Sequence, residues 1–253
     1  MNNEQRIVIK TSEEIQIMRE AGKILARIIE ELKCSLKPGM TTADIDSLTE
    51  KLIKESNVIP AFKGYRGFPG CACVSVNEEV VHGIPGGRVI KEGDIVSVDV
   101  GIIYKDFYSD TAVTIPVGKV SPQIQKLLDV TKNSLEKGIE QACVNNRLSD
   151  VSHAIQKYVE KHKLAIVREF VGHGIGRNLH EDPEIPNFGP PHKGPVLKEG
   201  MVFAIEPMVN IGRRETKILD DGWTVATHDG KPSAHFEHTV AITADGPEIL
   251  TKC

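Results

Sequence analysis

Two acids, Asp99 and Asp110, sit in the run "DIVSVDVGIIYKDFYSDTAVTI", and two more, Glu206 and Glu237, sit in "VLKEGMVFAIEP" and "HFEHTVAIT". All four lie in or beside strand-like apolar runs, where an ionised carboxylate is costly unless a positive group meets it. In the first run a turn centred on Tyr104-Lys105 places Asp99 directly opposite Asp110, with Cβ atoms about 5 Å apart. Two buried carboxylates that close share a proton or bind a cation. The residues Val96, Val98, Val100, Ala112, Val113 and Ile115 mark this hairpin as core rather than solvated surface. His173, in the glycine-rich "VGHGIG", adds an imidazole where little blocks close approach. Four carboxylates and one imidazole suit two borderline divalent ions (Mn, Fe, Co or Zn) better than one closed structural zinc. Two such ions about 3.5–4 Å apart can hold a hydroxide and polarise a carbonyl or phosphoryl oxygen.

The elements that must position these groups come in a repeated order. Thr11 and Glu14 form a capping box ahead of "IQIMREAGKILARIIEEL", and a second helix follows Thr41–Thr42. Ser121 and Pro122 open a third helix, and "SDVSHAIQKYVEKH" reads as a fourth, starting at Ser149. Strand-like stretches follow each helix pair. "VIKEGDIVSVDV" aligns without a gap on "VLKEGMVFAIEP", so that Asp99 falls on Glu206. "HGIP" from His82 answers "HGIG" from His173, and "SDTAVTI" around Asp110 answers "FEHTVAI" around Glu237. Three matches in one order predict an internal duplication, with halves of about 1–118 and 119–253 packed about a pseudo-twofold axis in a single domain.

Composition narrows the class. The 253 residues, 40% apolar and 26% charged, are ordinary for one soluble globular domain. A net charge of −4 gives no global pull toward nucleic acid or anionic membrane. No apolar run reaches the length of a membrane span, and "MNNEQRIVIKTSEE" lacks the apolar core of a secretory signal. Five cysteines, an odd count without C-x-x-C pairs, point to reduced thiols and a cytoplasmic location.

With these residues assembled, the sequence resembles type I methionine aminopeptidases of the pita-bread metallopeptidase family. The likeness runs from "SEEIQIMREAGKI" through "KPGMTTADID", "SVNEEVVHGIP", "FVGHGIGRNLHEDPEIPN" and "DGWT" to "HFEHTVAIT". It implies an α+β fold in which a curved antiparallel sheet, covered by two pairs of helices, holds a dinuclear metal site at its centre. It also implies that Asp99 and Asp110 hold one ion, that His173 and Glu206 complete the second, and that Asp110 and Glu237 bridge the two. The implied reaction is removal of the initiator methionine from nascent chains with a small second residue, by attack of a metal-bridging hydroxide on the Met-Xaa carbonyl. Glu206 would shuttle the proton, His180 would hydrogen-bond the carbonyl oxygen, and His82 would contact the amide on the departing side.

The methionine pocket implied by the resemblance is built from Tyr65, Phe68, Cys73, Leu179 and Trp223, with Phe62 at its edge. Soft and aromatic walls suit a thioether. Leu179 stands where an aromatic is usual, and Phe68 replaces a tyrosine, which predicts an altered pocket shape. The ions expected are divalent (Co, Mn, Fe, Zn or Ni), with a monovalent cation near Asn77, Glu79 and Ser233. The chain lacks the amino-terminal zinc-binding extension of longer forms, has no room for the type II insertion between Glu206 and Glu237, and is expected to act as a monomer. Its partners would be nascent amino termini, with docking near the ribosomal exit permitted by basic helices such as 122–137, and no membrane or nucleic-acid substrate. Two rivals remain: an aminopeptidase P or prolidase that cuts before proline, and a non-catalytic member of the fold that binds ribosomes or RNA.

Overall fold

In a computed structural model describing residues 7–252, each helix starts where a side chain satisfies its free N–H groups. Helix α1 (Ser12–Ser35) and helix α2 (Thr42–Glu55) open on reciprocal capping boxes, Thr11 with Glu14 and Thr41 with Asp44. Helix α3 (Pro122–Ile139) is capped by Ser121, with Pro122 at its first position. Helix α4 spans Leu148–Lys161, beginning one residue before the predicted Ser149. The Asp150 carboxylate takes the Arg147 N–H at 2.8 Å and fixes the start there, while the Ser149 hydroxyl is occupied by the Lys193 N–H at 2.7 Å. Cys253 and the first six residues of the amino-terminal stretch read above lie outside the described range.

Strands β1 (Ile59–Pro60), β2 (Ala72–Val76), β3 (Glu79–Val81), β4 (Ile95–Tyr104) and β5 (Phe107–Pro116) follow the first helix pair. The second pair is followed by β6 (Ala165–Ile166), β7 (Gly172–Gly174), β8 (Glu181–Ile185), β9 (Val202–Ile205) and β10 (Met208–Asn210). Then come β11 (Thr216–Ile218), β12 (Val225–Thr227), β13 (Ser233–His235), β14 (His238–Thr243) and β15 (Gly246–Ile249). The predicted order of two helices then strands therefore occurs twice. Strand β4 is paired along its length with β5 and also with β1 and β2, all antiparallel. The second large sheet runs β15-β14-β9-β7-β8, and two small sheets, β13-β10-β6 and β11-β12-β3, complete the set.

Period-2 alternation gives each sheet a helix face and an inner face. Val96, Val98 and Val100 of β4 pack with Leu25 and Ile28 of α1 and Ile45 and Ile53 of α2. Phe203, Ile205, Val240 and Ile242 pack with Leu127 and Leu135 of α3 and Val151 and Ile155 of α4. The intervening residues, Asp99 among them, are left on the inner faces.

Those inner faces meet along a seam between β5 and the chain around β13 and β14. The Thr239 hydroxyl accepts the Asp110 N–H at 3.1 Å and donates to the Asp110 carbonyl at 2.8 Å. Thr114 makes the same two-way bond to the backbone of His235, both at 2.8 Å. Thr111 donates to the Glu237 carbonyl at 2.6 Å, and the Glu237 N–H reaches the Ala112 carbonyl at 2.9 Å.

One predicted register is corrected. Tyr104 pairs with Phe107, so the turn falls on Lys105-Asp106, and Asp99 lies opposite Ala112 while Asp110 lies opposite Gly101. Both turn residues have positive φ (47° and 65°), as a two-residue hairpin loop that matches strand twist requires. Asp tolerates that conformation, whereas Tyr104 is better placed in the strand, where its hydroxyl bonds Glu20 at 3.2 Å. Asp99 and Asp110 are thus diagonal neighbours on one face, about 7 Å apart at Cβ rather than about 5 Å.

Candidate metal centre

Five elements deliver the predicted ligands to one place. Asp99 and Asp110 come from the inner face of the β4–β5 hairpin, and Glu206 follows the last residue of β9. Glu237 lies between β13 and β14, and His173 is the middle residue of β7. The glycines beside His173 are required by close packing: a Cβ on Gly172 would lie 2.4 Å from the Ala204 carbonyl oxygen, and one on Gly174 would lie 2.3 Å from that of Asp182. All five ligands line one cavity of about 140 Å³. Within it, ligand atoms of Asp110, His173 and Glu237 lie within 4.8 Å of one another, and all three residues are buried. The Glu206 carboxylate approaches His173 Nε2 at 3.6 Å.

The electrostatics of this cluster call for a cation. Asp99 Oδ1, Asp110 Oδ1 and Glu237 Oε1 are buried without a hydrogen-bond partner among the described residues. Burial pushes the Asp99 carboxyl up to about 7, with His235 opposing the rise and Glu206 adding to it. Burial also lifts Glu206 to about 7, against the pull of His173. Asp110 and Glu237 are driven well above the usual carboxylate range by burial and then by their acidic neighbours. The His173 Nδ1 lies 2.9 Å from the Gly174 carbonyl oxygen, which can only accept, so Nδ1 carries the proton and Nε2 presents a lone pair to the acids. Unpaired carboxylate oxygens facing one oriented imidazole nitrogen fit borderline divalent ions.

The other predicted residues, His82, His180, Phe62, Tyr65, Phe68, Cys73, Leu179 and Trp223, all line the same cavity. His82 adopts a left-handed φ of 58° and meets Phe170 and Trp223 edge-on. Burial pushes its imidazole down to about 4, with His235 adding to the fall. His180 lies against His173, with ring centroids 4.3 Å apart and planes tilted by 42°, and burial and then His173 push it down to about 3. Phe68 and Trp223 meet edge-on at 5.2 Å, and Asp221 holds the Trp223 loop through the N–H groups of Trp223 and Thr224, each at 2.8 Å. Burial and the surrounding acids raise the Cys73 thiol well above its ordinary range, so it is a wall and not a nucleophile.

The loop carrying His180 is tied down from the first half. Lys10 Nζ bonds the adjacent Glu181 carboxylate at 2.7 Å, both side chains being almost fully buried. Tyr108 N–H bonds the Gly176 carbonyl at 2.8 Å, and Arg177 lies over the Phe107 ring.

Two residues of the site escaped the sequence reading. His235, 1% exposed, places Nε2 3.6 Å from Glu206 Oε2 and has no hydrogen-bond partner at that atom among the described residues. Its position two residues before Glu237, within "HFEH", is the period-2 signal that could have revealed it. Arg66 lines the cavity beside Tyr65. The side chains named for a monovalent cation are engaged with protein: Glu79 bonds Arg88 and the Val76 N–H, Asn77 bonds Asp94, and Ser233 donates to the Val209 carbonyl.

The sequence pattern that defines metallopeptidase family M24 matches residues 16–244. The chain belongs to this family. Among its M24 relatives, methionine aminopeptidase 1 of Bacillus subtilis (strain 168) is 57% identical over 246 residues, covering 97% of this chain and 99% of that protein. A crystal structure of methionine aminopeptidase from Thermotoga maritima superposes with a TM-score of 0.96 at 50% identity, covering 98% of this chain and all of the other. The prolidase of Pyrococcus furiosus shares the fold, with a TM-score of 0.79 at 24% identity, and this chain covers 66% of it. The pita-bread architecture expected from the sequence is therefore present, and the chain is a metallopeptidase with a candidate metal-ligand group at Asp110, His173 and Glu237. No described helix is long and apolar enough to cross a membrane.

Proposed function

We propose that this chain removes the amino-terminal methionine from new proteins and peptides whose second residue is small, acting in the cytoplasm. The observation that carries this reading is an enclosed pocket, walled by a thiol, aromatics and Leu179, set directly against the acid cluster. Its volume of about 140 Å³ is well below the roughly 300–1,000 Å³ of sites that take a whole drug-sized ligand, so it suits a single side chain. Polarizable and aromatic walls suit a thioether. Full-length likeness to proteins named methionine aminopeptidase supports the same substrate, whereas the prolidase likeness reaches only the fold.

Asp99, Asp110, His173, Glu206 and Glu237 would hold two divalent ions, with Asp110 and Glu237 shared between them. Such ions supply Lewis acidity and a water that loses its proton near neutral pH. The chain's own residues do the rest. The pocket fixes the methionine side chain and so places the first peptide bond beside His180 and His82. His180, neutral at pH 7, faces the carbonyl oxygen and stabilises the negative charge that develops there. His82 orients the departing amide. The Glu206 carboxylate takes up a proton at a carboxylate oxygen and returns it to the leaving nitrogen.

The test is to incubate the metal-loaded protein with Met-Ala-Ser, Met-Lys-Ser and Ala-Pro-Ser. Methionine should be released from the first alone. Cleavage of the Xaa-Pro peptide in preference, or release of methionine from neither Met peptide, overturns the proposal.

A further inference from the structure

His173 and His180 lie side by side in one site, yet their Nδ1 atoms meet partners of different kind. The Nδ1 of His173 meets a backbone carbonyl, which accepts only. The Nδ1 of His180 meets the phenol oxygen of Tyr65 at 2.9 Å, and that group can donate. The Tyr65 ring lies nearly parallel to the His180 imidazole, at 20° between planes and 5.5 Å between centroids. Tyr65 is itself held in a tight turn, where Gly64, Arg66 and Gly67 all have positive φ. Backbone bonds from Tyr65 N–H to the Phe62 carbonyl and from Phe68 N–H to the Tyr65 carbonyl, both 2.9 Å, close that turn. The phenol is therefore presented to His180 from the first half of the chain.

We propose that Tyr65 is a positioning residue: its hydroxyl donates to Nδ1 of His180 and fixes that ring as the tautomer protonated at Nε2, opposite to the tautomer of His173 beside it. Two observations besides the 2.9 Å contact favour this direction of donation. A phenol O–H is a stronger donor than a neutral imidazole N–H, and the hydroxyl has no other partner among the described residues. A neutral imidazole has one ring proton, and where that proton sits decides whether the ring donates into the cavity or only accepts. The neighbouring rings thus have divided roles: His173 offers a lone pair, and His180 offers a hydrogen. The significance of the second role rests on the function proposed above, in which His180 meets a developing oxyanion; the tautomer itself does not.

The experiment is a long-range proton–nitrogen NMR spectrum of histidine-labelled, zinc-loaded protein, with His180 assigned by the loss of its signals in His180→Gln. The wild-type spectrum should show Nε2 protonated and Nδ1 bare. Tyr65→Phe keeps the ring and removes only the donor, so it should give mixed tautomers at His180. Its kcat on Met-Ala-Ser should fall about tenfold with KM within about twofold, the size expected for one misoriented hydrogen bond. A proton on Nδ1 in the wild type overturns the proposal. So does a Tyr65→Phe variant that raises KM alone and leaves the His180 spectrum unchanged, the behaviour of a mere pocket wall. Because the spectrum needs no turnover, failure to cleave methionine peptides would remove the proposed function while leaving this assignment to be judged separately.

Discussion

The two halves of the chain build their acids differently. In the first, Asp99 and Asp110 sit inside ten-residue strands joined by a two-residue turn. In the second, Glu206 and Glu237 lie just past the ends of short strands, with the Trp223 loop in the chain between them. The registers also differ. Ile205 pairs with His238, but their counterparts in the sequence repeat, Val98 and Thr111, do not pair; Val98 pairs with Val113. A slip of two residues preserves which face every side chain occupies, so both halves still aim their acids inward. The first half is a platform positioned by its own pleat. The second is positioned by contacts from elsewhere, and His180 and Trp223 are hung from its loops.

The strongest test of that contrast compares Asp110→Asn with Glu237→Gln. On the function proposed above both remove a metal ligand, so calorimetric metal titration and peptide turnover should show equal losses despite the different settings. Loss of about 4 kcal/mol of charge stabilisation corresponds to roughly 1,000-fold in rate. A much milder effect at one position would mean that only the other half carries the centre. Next is Lys10→Met, which leaves the buried Glu181 carboxylate without its partner. Denaturant unfolding should show a destabilisation of about 3–5 kcal/mol, and turnover should fall as the His180 loop loosens. An unchanged unfolding midpoint would show that the second half holds this loop unaided.

The most gradual expected effect is a pH dependence. In the metal-free protein Asp99 and Glu206 are pushed up to about 7, whereas in the unfolded chain such groups ionise near about 4. The folded state then holds protons that the unfolded chain has released, so metal-free stability falls as pH rises from about 4 through about 7. Metal replaces those protons. The melting-temperature gap between metal-loaded and chelator-treated protein should therefore widen with pH across that window. Asp99→Asn and Glu206→Gln should each flatten the trend, and a slope lost entirely in one variant would place the effect in one half.

Features governed by local chemistry were legible in the sequence. The Thr11–Glu14 box, Ser121 with Pro122, and the doubled order of helices and strands are all present as read. The residues read as metal ligands, catalytic groups and pocket walls all line one cavity, whereas Asn77, Glu79 and Ser233, read as a monovalent-cation site, do not. What was missed depends on competition between near-equal local options or on distant chain. Either Tyr104-Lys105 or Lys105-Asp106 could have formed the turn, and backbone conformation at Asp106 decided it. Ser149 would cap α4 were its hydroxyl not bound by Lys193, 44 residues away. His235 could have been inferred from its spacing to Glu237, but its approach to Glu206 needs the folded sheet.

The threonine clasps between β5 and the backbone at His235 and Glu237 have a consequence for how such a protein could be divided. Asp110 belongs to one side of that seam, while His173 and Glu237 belong to the other. A half-molecule released by cutting near Gly118, however well folded, would carry a broken ligand set and half a pocket. Activity could return only by complementation, when two fragments re-form the shared border.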